Sequence, residues 1–134
     1  MSGPKAYLQT GRDIMTLRRK MLGRQGEEVA ARYLEKNGFH ILSRNYRCKI
    51  GEIDLIVIDK RTLIFVEVRS KSSEEFGLGQ ESVVRKKQLK LRQVAWHYLK
   101  AEGKTAMDCR FDVIAIRFDG DGQVRRIEHI ENAF

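Results

Sequence analysis

The sequence predicts an α/β domain in which helices flank a mixed central sheet. Three observations support this fold class. Two segments repeat apolar residues with helical periodicity, five shorter segments are apolar or alternating like strands, and their order is helix, three strands, helix, two strands. The length of 134 residues suits one domain with one hydrophobic core and is short for two.

The first helix is predicted over Gly26–Asn37. Its apolar stripe consists of Val29, Ala30, Tyr33 and Leu34. An acidic first turn suits the helix dipole, and Gly38 is a typical residue at a helix end. The first strand is then predicted over Phe39–Tyr46, where the chain turns apolar again.

Two further apolar runs are predicted to form an antiparallel hairpin. The strands Glu52–Ile58 and Leu63–Arg69 are rich in Ile, Val, Leu and Phe, and Asp59–Thr62 lies between them as the loop. Carboxylates are rare in such runs unless they are paired or bound to a metal ion. Asp54 and Glu67 are therefore the most informative residues of the chain.

The register of this hairpin decides whether the two acids meet. We expect Ile58 to pair with Leu63, so that the numbers of paired residues sum to 121. Asp54 then lies directly opposite Glu67, with Cβ atoms ~5 Å apart on one face of the sheet. Like charges there are destabilising unless one is protonated or a cation lies between them, and carboxylate oxygens suit Mg²⁺ or Mn²⁺. In the alternative, one carboxylate is solvated at a sheet edge and the other pairs with Arg69.

The second half of the chain is predicted to contain one helix and two strands. Ser70–Gln80 is polar and contains glycine, which predicts a loop. A helix is predicted over Glu81–Ala101, with a strongly basic first half and Gly103 after its end. Arg110–Phe118 alternates like a strand, and Gln123–Ile130 is predicted as the last strand.

Charge and cysteine content limit the class of partner and the compartment. The net charge of +8 and the pI of about 9.7 favour a polyanion, with nucleic acid first and an anionic membrane surface second. No apolar run approaches the ~20 residues that span a bilayer, and the N-terminus has no apolar signal-peptide core, so no membrane association is expected. Cys48 and Cys109 form no metal-binding pair and are expected to be reduced thiols in a cytoplasmic protein.

The chain is expected to divide into a basic, flexible arm over residues 1–22 and a single domain over residues 23–134. The arm contains few apolar repeats, and its basic residues are Lys5, Arg12, Arg18, Arg19 and Lys20. Such an arm would add non-specific affinity for phosphate groups. In the alternative, Ile14, Leu17 and Met21 line one side of a short helix.

Six short sequence blocks, which run in order along most of the chain, resemble the YraN family. The blocks are Gly26-Glu27 with the apolar residues that follow it, Asn45-Tyr46-Arg47, Gly51–Ile56, Phe65–Val68, Lys87-Gln88 and Arg110–Val113. The resemblance implies a restriction-endonuclease-like αβββαβ core, similar to archaeal Holliday junction resolvases. It also implies a PD-(D/E)xK nuclease that hydrolyses DNA, including branched DNA, with Mg²⁺ or Mn²⁺ as cofactor.

The resemblance assigns roles to four residues of this chain. Asp54 and Glu67 match the metal-binding acids, and Glu27 matches an acid on the first helix that reaches the same cluster. In the alternative, Glu27 is only a charge at a helix N-terminus. Arg69 stands where the family usually has lysine, and Lys71 follows it on the same face of the strand. Arginine keeps its proton in proteins, so Arg69 can orient groups and stabilise charge but cannot act as a base.

Four basic residues are expected to contact nucleic acid, and they are Lys71, Lys87, Arg85 and Arg47. Lys87 and Arg85 lie in the basic half of the second predicted helix, where a solvated helix face is the alternative. Two other functions remain open at this point: a nucleic-acid-binding module without catalysis, and an adaptor whose basic surface meets an acidic protein. Related junction-cutting enzymes act as dimers because two strands must be cut, which implies a homodimer here.

Overall fold

The computed structural model of the chain describes residues 11–72 and 84–134. Two helices lie in these ranges, α1 (Gly11–Lys36) and α2 (Arg85–Ala101). The strands are β1 (His40–Arg47), β2 (Glu52–Asp59), β3 (Thr62–Ser72), β4 (Asp108–Phe118) and β5 (Val124–Ile130). No helix within these ranges is both long enough and apolar enough to cross a membrane.

The five strands form one mixed sheet in the order β1-β2-β3-β4-β5. β3 and β4 are parallel, and the other three neighbouring pairs are antiparallel. A parallel pair needs a long crossover connection, which α2 provides between β3 and β4. The predicted α/β class and the αβββαβ order are therefore confirmed, with β5 added as an antiparallel edge strand.

The two helices cover opposite faces of the sheet, and each face has its own hydrophobic core. Neighbouring residues of β3 alternate between the two cores: Ile64 and Val66 pack on the side of α1, and Leu63 and Phe65 on the side of α2. This alternation follows from the twofold period of a strand. The helix residues buried in the two cores are Ala30, Ala31 and Leu34 of α1 and Leu91, Val94, Ala95, Tyr98 and Leu99 of α2.

Helix α1 begins well before its predicted start at Gly26, so that predicted boundary is wrong. The helix begins at Gly11 and passes through the expected boundary at residue 22 without a break. Leu17 and Met21 are each 60% exposed, so neither of these two apolar residues contributes to a buried stripe that periodicity could detect. Leu, Met, Arg and Lys are good helix formers without burial. Residues 1–10 of the expected arm lie outside the described residues, and the mobility of the arm stays a prediction.

The boundaries around the loop after β3 also differ from the predicted ones. β3 continues through Ser72 because its last residues pair with Ile116–Phe118 of β4, so the predicted loop does not begin at Ser70. Residues 73–83, which include the start of the second predicted helix at Glu81, lie outside the described residues. The described part of α2 begins at Arg85.

A buried aspartate joins the last two strands to the end of the chain. Asp112 on β4 is fully buried, and its carboxylate contacts His129 Nε2 at 2.8 Å and Arg110 Nε at 3.1 Å. The backbone N–H of Asn132 donates to the same carboxylate at 3.0 Å. These partners satisfy a charge that would otherwise be costly to bury, and they fix β5 and the residues after it against β4.

Candidate functional site

The middle of the sheet contains a fork, because β2 and β3 pair along only part of their lengths. Their ladder runs from Asp59 and Thr62 to Leu55 and Val66. Beyond that point, the first residues of β2 still pair with β1, while β3 from residue 67 onward pairs with β4. The two strands therefore diverge, and the fork opens next to residues 54 and 67.

The two acidic residues singled out in the sequence lie at the apex of this fork. The residues that pair in this ladder, such as Leu55 with Val66, have numbers that sum to 121, so the predicted register is confirmed. Asp54 and Glu67 are the first residues beyond the last ladder pair. The backbone N–H of Val68 donates to Asp54 Oδ2 at 2.8 Å, so a side-chain oxygen takes the place of a β2 carbonyl there.

The carboxyl groups of Asp54 and Glu67 do not both carry charge easily. Burial and the negative charge of Glu67 raise the pKa of Asp54 from 3.8 to about 7, against the opposing effect of the Val68 N–H. A hydrogen bond joins the two carboxyl groups, and such a bond requires a proton on one of them. A cation beside the pair would favour its fully ionised form and so remove the need for this proton.

Glu27 of α1 is a third acid whose charge acts on the fork. Its negative charge contributes to the raised pKa of Asp54, so the carboxylate lies close to the acid pair. Burial raises the pKa of Glu27 itself, and a hydrogen bond from the Asn45 side chain opposes that rise. The structure thus brings Glu27 near the other two acids, on the side where Glu52 and Arg47 also lie.

Asn45 is a residue of this site that the sequence reasoning did not assign. It lies on β1 between Arg44 and Tyr46, whose β2 partners are Leu55 and Ile53, so it stands opposite Asp54. Its φ of 52° places it in the left-handed region, where asparagine is tolerated better than most side chains. An asparagine inside an otherwise ordinary strand pattern was the signal that could have revealed this irregular position.

The donor set at the fork fits a hard divalent cation. Asp54 and Glu67 offer carboxylate oxygens at the apex of the fork. Residues 11–72 and 84–134 contain no group of three or more His, Cys, Asp or Glu side chains close enough to hold a metal ion together. Mg²⁺ commonly binds through one or two carboxylates and keeps several waters, so a pair of acids is sufficient for it.

Lys87 approaches the acid pair from α2. Its Nζ atom lies 3.2 Å from Glu67 Oε1, and the side chains of Lys87 and Glu67 are 51% and 12% exposed. The lysine therefore neutralises part of the charge of a largely buried carboxylate while remaining accessible to solvent. Arg85, which was predicted to contact nucleic acid with Lys87, lies exposed in the first turn of the same helix.

The remaining predicted site residues lie on the strands around the fork. Arg69 and Lys71 continue along β3 on the same face as Glu67, and both are half-buried. Arg47 at the end of β1 is exposed and forms an ion pair with Glu52, with Nε 3.0 Å from Oε2. Lys87 therefore contacts the acid pair, whereas Arg69 and Lys71 lie two and four residues beyond Glu67 on β3, and Arg47 lies on the β1 side of the fork.

Comparison with known proteins places this chain among relatives of similar length. Residues 26–116 match the family described as Uncharacterised protein family UPF0102. A UPF0102 protein of Pelotomaculum thermopropionicum is 60% identical over 116 residues, which cover 87% of this chain and 97% of that protein. UPF0102 proteins of Desulforamulus reducens and Moorella thermoacetica are 48% and 44% identical and cover 89% and 90% of this chain and 99% and 100% of their own lengths.

Proposed function

This chain belongs to the uncharacterised protein family UPF0102, and we propose that it is a metal-dependent endonuclease that hydrolyses phosphodiester bonds of DNA. The observation that carries the proposal is the acid pair at the fork. Asp54 and Glu67 share a buried position that favours a cation, and the basic side chains around them favour a polyanionic substrate. The mixed αβββαβ arrangement is the one expected of a restriction-endonuclease-like nuclease.

Asp54 and Glu67 would hold Mg²⁺ or Mn²⁺, with the Val68 carbonyl as a further oxygen ligand. When bound, the ion supplies a water of lowered pKa and neutralises charge on the phosphate. Glu27 stands beside the pair and would orient a water on the open side of the fork.

Two cations would act on the phosphate rather than on a proton. Arg69 lies on the face of Glu67, and its guanidinium group would stabilise negative charge that builds up as the phosphate is attacked. Lys87 would move from Glu67 to a phosphate oxygen once a metal ion neutralises the carboxylate. The proposed site therefore needs no side chain of this chain as a general base.

Cleavage assays with purified full-length protein test the proposal. Supercoiled plasmid and a four-way DNA junction are incubated with Mg²⁺ or Mn²⁺ and with wild type, Asp54→Ala, Glu67→Ala or the control Asp59→Ala. Wild type and the control, which changes an acid at the other end of β2, are expected to cut. Both site variants are expected to lose at least a hundredfold in rate. Equal cutting by all four proteins would exclude the proposed site.

A DNA-binding protein without cleavage is the second candidate, and Arg69 favours it. The resemblance described above implies lysine at this position, and arginine cannot release its proton. An Arg69→Lys variant that gains cleavage while wild type only binds DNA would support this candidate. Cleavage by wild type would exclude it.

The proposed enzyme would act in the cytoplasm on DNA that carries branches. Cutting both strands of a branch symmetrically requires two active sites, so a homodimer belongs to the same proposal. Analytical ultracentrifugation with and without a junction tests this part separately from the chemistry. A protein that stays monomeric on the junction would cut only one strand at a time.

A further inference from the structure

Three basic residues lie in register across three neighbouring strands. Lys71 of β3 pairs with Arg117 of β4, and Arg117 pairs with Arg126 of β5. Paired residues of neighbouring strands project from the same face of a sheet. Here that face is the one on which α2 packs, because Val113 of β4 and Ile130 of β5 belong to the core beneath α2. We call Lys71, Arg117 and Arg126 the basic row.

The basic row concentrates charge of one sign within a short distance. Neighbouring strands are ~4.8 Å apart, so the three residues span on the order of 10 Å of backbone. Like charges that are directly opposed destabilise a sheet. The next row toward the acid pair has no net charge. There Arg69 pairs with Ala115 and Ala115 pairs with Glu128, so one positive and one negative side chain balance. Arg117 and Arg126 of the row are thus two like charges on directly paired residues, and an anion beside them would offset their repulsion.

Arg117 supplies an independent indication of an anionic ligand. Its Nε atom is buried and has no hydrogen-bond partner among the described residues. A buried donor without an acceptor costs free energy, and a guanidinium group is well suited to two oxygen atoms of one phosphate. Arg126 beside it is exposed, so the row is accessible from the β5 side of the sheet.

The position of the row relates it to the fork. Lys71 lies four residues beyond Glu67 on the same face of β3, which is on the order of 13 Å at ~3.3 Å per residue. Duplex DNA advances by about 3.4 Å per nucleotide of each strand. Because each strand also winds around the helix axis, a phosphate at the row and a phosphate at the acid pair would be a few nucleotides apart on one strand.

We propose that the basic row binds the phosphate backbone of duplex DNA beside the acid pair and sets the path of the duplex across the sheet. This inference rests on the proposed function, because the charge of the row alone would suit other polyanions. Within the proposal, the row contributes affinity and position, whereas the acid pair contributes the chemistry. Arg117 and Arg126 are then DNA-binding residues in addition to Lys71.

The salt dependence of DNA binding tests the proposal without any cleavage. Fluorescence anisotropy with a labelled 24-base-pair duplex in EDTA gives the association constant at a series of NaCl concentrations. Each lost phosphate contact lowers the slope of log K against log salt by about 0.9. Arg126→Gln is expected to lower the slope by about 1, and Lys71→Gln with Arg117→Gln and Arg126→Gln by about 2 to 3.

Arg61→Gln is the matched control for Arg126→Gln. Arg61 is also exposed, but it lies in the hairpin loop beside Thr62, at the opposite end of β3 from Lys71 and about 30 Å away along the strand. Its slope is expected to stay within about 0.3 of wild type. Since Arg126 is exposed, its single variant keeps the test valid even if replacement of the half-buried Arg117 impairs folding.

Two results would overturn the inference. The first is an unchanged slope for Arg126→Gln, which would mean that the row is neutralised within the chain. The second is an equal decrease for Arg61→Gln, which would mean that only net charge matters. The cleavage assay distinguishes the two proposals. If the salt slope depends on the basic row but no cleavage occurs, the row is supported and the nuclease is contradicted. If cleavage occurs but the slope is unchanged in the row variants, the nuclease is supported and the row is contradicted.

Discussion

Asp54 belongs to the candidate site, and ionisation of its carboxyl group lowers the stability of the folded protein. Its carboxyl group is buried beside Glu67, and both burial and that negative charge oppose its ionisation. The raised pKa means that the folded chain binds a proton more tightly than the unfolded chain does. The favourable contribution of this proton is complete below about pH 4 and is lost as pH rises toward 7.

Replacement of Asp54 by asparagine should therefore stabilise the metal-free protein at pH 8. The shift from 3.8 to about 7 corresponds to about 4 kcal/mol, and relaxation around the carboxylate reduces this to about 2 kcal/mol. Near pH 4 the advantage should disappear, because the wild-type carboxyl is then protonated. Urea unfolding at pH 4, 6 and 8 measures the difference, with Asp59→Asn as the control. A stability difference that does not change with pH would contradict the expectation.

Lys87 should compete with a metal ion for Glu67. Its ammonium group lies 3.2 Å from the carboxylate and is half exposed, so its contribution to stability is of the order of a surface ion pair, about 0.5–1 kcal/mol. Lys87→Ala should therefore bind Mn²⁺ about two- to fivefold more tightly in the absence of DNA.

Isothermal titration calorimetry measures this affinity, and Lys86→Ala is the control. Lys86 is the exposed neighbour of Lys87 on α2, and no ion pair between it and the described acids is present. Its variant should bind Mn²⁺ like wild type. Weaker Mn²⁺ binding by Lys87→Ala would show that the lysine supports the metal site instead of competing with it.

At the level of the elements, α1 approaches β3 closely at Gly26. A Cβ atom added there would overlap Ser70 Oγ and lie 3.0 Å from Ser70 Cβ. Gly26→Ala should destabilise the protein by about 1 kcal/mol, because overpacking costs about 1–3 kcal/mol and the helix propensity of alanine returns part of it. Thermal unfolding followed by circular dichroism measures the effect.

Two further variants make this test specific for the contact. A Cβ at Gly23 on the same helix would have no neighbour within 4 Å, so Gly23→Ala should stabilise the protein slightly. Ser70→Ala removes a buried hydroxyl group that has no partner among the described residues, and it should partly rescue Gly26→Ala. Additive effects of the two substitutions would mean that Gly26 and Ser70 do not interact.

The sequence was sufficient for local elements and insufficient where distant strands decide the outcome. The hairpin register followed from two apolar runs and a short loop, so the meeting of Asp54 and Glu67 was predictable. The fork was not predictable, because it depends on the pairing of β2 with β1 and of β3 with β4. The contact of Lys87 with Glu67 and the basic row were missed for the same reason, since they require the packing of α2 and the registers of β3, β4 and β5.

At the scale of the whole molecule, two buried aspartates give opposite dependences on pH. Burial raises the pKa of Asp112, but hydrogen bonds from His129, Asn132 and Arg110 outweigh it and hold the pKa below its ordinary value. The contribution of Asp112 to stability is therefore fully present above the ordinary pKa and is lost as pH falls through the lowered pKa of the folded protein. Asp54 behaves in the opposite way.

Asp112→Asn should destabilise the whole domain at pH 7 by about 3 kcal/mol. The substitution leaves Arg110 and His129 beside a buried group that no longer carries the balancing charge. The effect should become smaller as pH falls through the lowered pKa of Asp112, because the wild-type carboxyl then becomes protonated as well. Urea unfolding measures it, and Asp108→Asn, at an exposed position of the same strand, should change stability by less than about 0.5 kcal/mol.

The incomplete pairing of β2 with β3 also has a consequence for motion. On the side of β3 that faces β2, the Val68 N–H donates to the Asp54 carboxyl group, whereas Val66 and the β3 residues before it pair with the β2 backbone. Amide hydrogen exchange should therefore be slow through Val66, and at Val68 it should depend on the residue at position 54. Exchange at one amide would then report local opening of the fork, well before the domain unfolds.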